Sequence, residues 1–92
     1  MIDIKFEGKR SAAYDGDTLI GECDFDVYDK IWTINHTEVN ANYSGQGLAK
    51  KLLLCVVENA RKSVCKINPV CSYVINEFER NPEAYSDVVL KD

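Results

Sequence analysis

The chain has 92 residues, of which 46% are apolar and 28% charged, with only five glycines and two prolines. That composition belongs to one globular domain, not to a disordered or fibrous chain. A net charge of −4 and an isoelectric point near 4.9 disfavour a general nucleic-acid or anionic-membrane surface, and no apolar run approaches the ~20 residues of a membrane span.

Residues 2–6 alternate apolar and polar from the start, which reads as a strand and not as a signal peptide. Glu7-Gly8-Lys9-Arg10 turns the chain into a second strand over residues 11–14. Asp15-Gly16-Asp17 is a hairpin turn, because Asp-Gly accommodates positive φ. In a third strand, residues 18–28, Cys23, Phe25 and Val27 alternate with Glu22, Asp24 and Asp26, giving one buried and one wet face. Residues 31–39 make a fourth strand rich in β-branched and aromatic side chains. Strict alternation puts Trp32, Ile34, His36 and Glu38 on one face and Ile31, Thr33, Asn35, Thr37 and Val39 on the other.

After a loop over residues 40–44, residues 45–62 read as the main helix. Leu48, Ala49, Leu52, Leu53, Val56, Val57 and Ala60 share one stripe at helical spacing. A fifth strand over residues 64–70 is disturbed by Pro69, which has no N–H for a ladder. Ser72 stands near the N-cap of a helix over residues 72–80, and Pro82 opens a last helix reaching about Leu90. The strand–helix–strand unit makes the fourth and fifth strands a parallel pair with a right-handed crossover. The expected class is α/β (α+β): a mostly antiparallel sheet with one parallel pair around a central helix, in a single domain spanning residues 1–92.

Chemistry concentrates at Asn42-Tyr43-Ser44-Gly45-Gln46-Gly47, between the fourth strand and the main helix. Glycines there let the backbone turn tightly and admit a close ligand. The free N–H groups and dipole of the helix start favour a phosphate. The same pattern also serves a tight turn with nothing bound. A P-loop needs a different spacing, and Lys50 stands where a dinucleotide fingerprint needs its third glycine. Charge is uneven: residues 1–44 hold nine of the fifteen acids, whereas residues 45–66 hold Lys50, Lys51, Arg61, Lys62 and Lys66 against Glu58 alone. That gathering suits a small anionic ligand, or simply the solvated face of a helix.

His36 and Cys71 are the candidate reactive groups, because parallel fourth and fifth strands bring both to one edge above the helix start. A thiol there is activated by imidazole or by a helix N-terminus, and the imidazole alone can act as a base. The alternatives are a small residue packed at a strand end and a half-buried histidine bonded across the sheet. Tyr73 and Asn68 flank the same corner, the first as a donor to a leaving thiolate or a core cap, the second as a ligand contact or a turn residue. The four cysteines show no Cys-x-x-Cys spacing, so they read as reduced thiols of a cytoplasmic protein with no metal.

The order strand, Asn-x-x-Gly-x-Gly-Leu-Ala, helix, strand resembles the acetyl-CoA motif of the GCN5-related N-acetyltransferases (GNAT), Gln/Arg-x-x-Gly-x-Gly/Ala. Asn42 departs from that motif at its first position. Three blocks are similar to a short single-domain subgroup that includes N-acetyltransferase domain-containing protein 1. They are His36-Thr37-Glu38-Val39, Gly45-Gln46-Gly47-Leu48-Ala49, and Lys66-Ile67-Asn68-Pro69-Val70-Cys71-Ser72-Tyr73-Val74. The tail, with Phe78, Asn81-Pro82-Glu83-Ala84-Tyr85 and Asp87, also resembles that subgroup.

The resemblance implies a GNAT-like fold and acetyl-CoA as substrate, with pyrophosphate on the amides of residues 45–50 and the pantetheine arm between splayed strands. On that basis Val39, Asn40, Asn42, Ser44, Gly45, Gln46, Gly47, Leu48, Ala49, Lys50, Asn68 and Cys71 would line the cofactor, and Cys71, His36 and Tyr73 would serve the chemistry. The implied activity is transfer of acetyl to an amine acceptor that the sequence does not identify, directly or through Cys71. The alternative is a CoA-binding sensor or interaction module with little transferase activity, favoured by Asn42 and by the absence of the N-terminal helices that wall the acceptor site in longer relatives.

Overall fold

The meander follows from its turns. In the computed structural model, which describes residues 1–91, β1 (Ile2–Phe6), β2 (Arg10–Asp15), β3 (Thr18–Tyr28) and β4 (Ile31–Val39) pair antiparallel in chain order. Gly16 takes φ +63° at the β2–β3 hairpin, which only glycine does without strain. A short 3-10 turn, Ala41–Tyr43, leads into α1 (Leu48–Lys62), which returns the chain to β5 (Lys66–Pro69), parallel to β4. Then come α2 (Ser72–Arg80) and α3 (Pro82–Tyr85).

The apolar stripe of α1 makes the core. Leu48, Leu52, Leu53, Val56, Val57 and Ala60 are buried against the sheet. The Ser11 hydroxyl donates to the Leu52 carbonyl at 2.7 Å, tying helix to sheet. At the end of the same face Phe25 and Trp32 stack at 4.4 Å, with Phe6 at 5.9 Å from each. Beside α1 lies α2, where Glu77 is 3.8 Å from Lys50 and accepts from the Tyr85 hydroxyl at 3.0 Å. Arg61 of α1 donates to the Asp87 carboxylate at 2.9 Å, below α3. The other sheet face carries Lys5, Arg10, Glu22, Asp24, His36 and Glu38. No helix among the described residues is long and apolar enough to cross a membrane.

Several elements differ from the sequence expectation. The α1 helix starts at Leu48, not at Gly45, because Gly47 is its left-handed cap. Val64, at φ +56°, keeps β5 from starting before Lys66, and Pro69 ends it. The cap of α2 is Cys71, not Ser72. The last helix stops at Tyr85, and residues 88–90 run beside β5 instead. Ile67 donates to the Val88 carbonyl and accepts from Leu90 N–H, both at 2.7 Å, because its outward backbone groups need partners.

The largest correction lies in β4. Asp24 faces His36 while Phe25 faces Ile34, so Asn35 is an extra residue, a β-bulge. Beyond it the faces exchange. Thr37 and Val39 turn toward the helices, whereas His36 and Glu38 leave the face of Trp32 and Ile34 for the open one.

A Cβ at Gly21 would stand 3.1 Å from Leu52 Cδ1 and 3.2 Å from the Glu38 carbonyl oxygen. Gly21→Val is therefore expected to overpack the α1–sheet contact and lower stability by about 1–3 kcal/mol, read by urea denaturation.

Candidate active site

Pro69 ends the parallel ladder. Pairing runs from Ile31 with Lys66 to Ile34 with Pro69 and stops there. The Pro69 nitrogen lies on the outer edge of β5, as the Ile67 N–H does, so the strand ends because the chain turns after it. Val70 and Cys71 N–H then both donate to the Ile34 carbonyl at 3.0 Å, and the chain turns into α2. The last five residues of β4 are left without a β5 partner. A gap therefore opens between the end of β4 and the start of α2, at the same sheet end as the glycine turn.

The turn presents uncommitted amides. Gly45 and Gly47 take φ +81° and +71°, and nothing lies within 4 Å of where a Cβ would be. Backbone conformation, not crowding, requires glycine here. Lys51 N–H donates to the Gly47 carbonyl at 3.2 Å, so the amides of Leu48, Ala49 and Lys50 precede the first helical bond. No side chain caps α1 and no acid stands in its first turn. The loop before it is fixed by Asn40 Oδ1, which accepts from Asn42 N–H at 2.9 Å, and by the Tyr43 hydroxyl, which donates to Asp15 at 2.6 Å. That hydroxyl also holds the Asp15 carboxyl below the usual range. Ser44 and Gln46 are exposed, Leu48 is buried, and Lys50 extends to Glu77.

Cys71 lies at the inner end of the gap, capping α2. Burial pushes its thiol up, but the Thr37 hydroxyl, to which its S–H donates, and the neighbouring backbone amides of Tyr73 and Val74 outweigh burial and bring it below the ordinary thiol range. Its Sγ lies 3.6 Å from Thr37 Oγ1, which lies 3.6 Å from Cys23 Sγ. Tyr73 is half-buried, and burial followed by nearby Glu77 raises its phenol. Asn68 donates from Nδ2 to Thr33 Oγ1 at 3.4 Å. All four cysteines are free thiols.

His36 is not beside Cys71. The bulge places it on the open face, where its Nε2 lies 3.2 Å from Glu38 Oε1 and its partner across the strand pair is Asp24. Burial first, and then the neighbouring Glu22 carboxyl, push Asp24 up to about 6. Thr37 and Cys23, the two side chains that meet Cys71 through one hydroxyl, were not expected from the sequence. The only signal for Thr37 was its place in the His-Thr-x-Val block, and strict alternation had turned it away.

A family model of the GCN5-related N-acetyl-transferases matches residues 10–88. The chain belongs to the GCN5-related N-acetyltransferase family. Its fold is similar to the solution structure of a GCN5-like protein from Staphylococcus aureus, with 33% identity and a TM-score of 0.76 over 98% of this chain and 89% of that one. The PaiA N-acetyltransferase of Thermoplasma acidophilum, solved with coenzyme A, shares the fold at 17% identity and a TM-score of 0.64, over 78% of this chain and 48% of that one. The Escherichia coli ribosomal-protein-S18-alanine N-acetyltransferase does so at 17% identity and 0.60, over 63% and 38%. This GNAT chain thus spans less than half the length of the last two. No curated protein sequence matches it.

Because Asp24 titrates higher in the fold than its usual 3.8, its contribution to stability is complete below that value and is lost as pH rises through about 6. Asp24→Asn should remove this falling component. Chemical denaturation of both proteins from pH 4 to pH 7 is expected to show their stability difference moving in favour of the variant across that window.

Proposed function

We propose that this domain binds acetyl-CoA and transfers its acetyl group to an amine, with Cys71 as an intermediate carrier. The observation that carries the reading is the placement of Cys71 at the inner end of the β4–β5 gap, at the same sheet end as the uncapped start of α1. The pyrophosphate would take the amides of residues 45–50, where helix dipole and free donors favour an anion. The pantetheine arm would lie along the unpaired edge of β4, from Val39 back toward Thr37, and its thioester would reach Cys71. Asn40, Asn42 and Asn68 are proposed polar contacts along this path.

The Cys71 thiolate attacks the acetyl carbonyl, the carbonyl–sulfur bond to CoA breaks, and the CoA thiolate leaves and takes up a proton. One thioester replaces another. An amine then attacks acetyl-Cys71, forms the amide, releases the Cys71 thiolate and gives its proton to a base. Tyr73 assists the leaving CoA sulfur. His36, on the open sheet face and away from Cys71, takes that proton through an intervening water from an amine arriving on that face. The open face also supports a second reading, a CoA-binding module whose partner covers that face and which turns over little.

Intact-protein mass spectrometry after incubation with acetyl-CoA tests both. The wild type is expected to gain one acetyl group and Cys71→Ala none. CoA at 100 times its dissociation constant should stabilise both proteins by about 2.7 kcal/mol in thermal denaturation. Stabilisation without an adduct would exclude the Cys71 carrier and leave direct transfer or the binding module. Absence of both the adduct and the stabilisation would overturn the acetyl-CoA site.

A further inference from the structure

One hydroxyl stands between two thiols in this site. Thr37 Oγ1 donates to Cys23 Sγ at 3.6 Å and accepts from the Cys71 S–H at 3.6 Å. Cys23 and Thr37 are cross-strand partners on β3 and β4, and Cys71 follows β5 on the other side of β4. The two cysteines are thus two strand spacings apart, ~10 Å between backbones, beyond the reach of a disulfide. Cys23 is fully buried, and burial pushes its thiol to about 11, so it keeps its proton at neutral pH.

Once Cys71 loses its proton it can only accept. A hydroxyl rotates freely and can turn its proton to the thiolate. Its oxygen is then free to accept from the Cys23 S–H. We propose that Thr37 is a positioning residue for Cys71, switching its hydroxyl donation from Cys23 to the Cys71 thiolate while Cys23 becomes the donor to Thr37. The arrangement explains why a buried thiol stands at position 23, where a purely apolar side chain would fill the same space. The other titratable groups near the pair are Asp24 beside Cys23 on β3, Cys55 on α1 and Tyr73 on α2.

The proposal rests on Cys71 acting as the acetyl carrier, but its test needs no acetyl-CoA. The rate of iodoacetamide alkylation at Cys71 is followed from pH 6 to pH 10, with peptide mass spectrometry separating Cys71 from Cys55 and Cys65. Thr37→Val removes the donor at nearly constant volume and should raise the alkylation midpoint by about one pH unit. Thr37→Ser should restore the wild-type midpoint. Cys23→Ala should move it in the same direction as Thr37→Val, by less. An unchanged midpoint in Thr37→Val, or Thr37→Ser shifting as far as Thr37→Val, would overturn the proposal. A normal shift in a protein that takes no acetyl group would support the Thr37 pairing and refute the carrier role of Cys71.

Discussion

The turn of the chain away from β4 after Pro69 decides the layout of the site. A parallel ladder needs evenly spaced bonds from both strands, but Val70 and Cys71 N–H both converge on the one Ile34 carbonyl, so β5 pairs over four residues and no further. The end of β4 is therefore unpaired on one side without any steric wedge to hold it open. Cys71 follows two residues later, anchored by its own N–H to Ile34. Had the ladder continued, the thiol would lie within a sheet and not at the start of a helix.

The two ends of the gap have different physical characters, and each suits a different part of one ligand. The α1 start offers backbone donors, no competing acid and a favourable dipole. The α2 start instead holds a thiol of the chain itself at its cap position. Lys50 and Glu77 form an ion pair between the two helices beside this gap. The open sheet face adds a third character, polar and rich in carboxylates.

Much of the fold was legible in the residues because its signals are local. Asp-Gly marks a hairpin, alternation marks β3, and the leucine and valine stripe marks α1. The glycine turn was legible for the same reason, as were the parallel pair and the disturbance at Pro69. Three features were not. The end of α3 depended on Ile67 needing backbone partners from residues far along the chain. The start of β5 depended on a valine in a left-handed conformation, which propensity disfavours. The facing of His36 and Thr37 depended on Asn35, whose side chain gives no hint of a bulge. It donates to Asp26 at 2.7 Å on the surface, as many strand asparagines do. Cys23 and Thr37 thus escaped notice because a period of two, applied without interruption, sends Thr37 to the wrong side.

The bulge at Asn35 has the character of a phase shift. Along β4 it exchanges the roles of every following residue, so the strand is in effect two half-strands written out of step. Side chains on the second half are free to vary by ordinary substitution, each on its own face. A return to regular alternation at constant length is another matter. It would present the imidazole to the buried thiols and the hydroxyl to water while leaving every residue type in place. The backbone at position 35 is therefore under a constraint that side-chain similarity does not record, and a change of its conformation there carries more chemical consequence than a change of side chain.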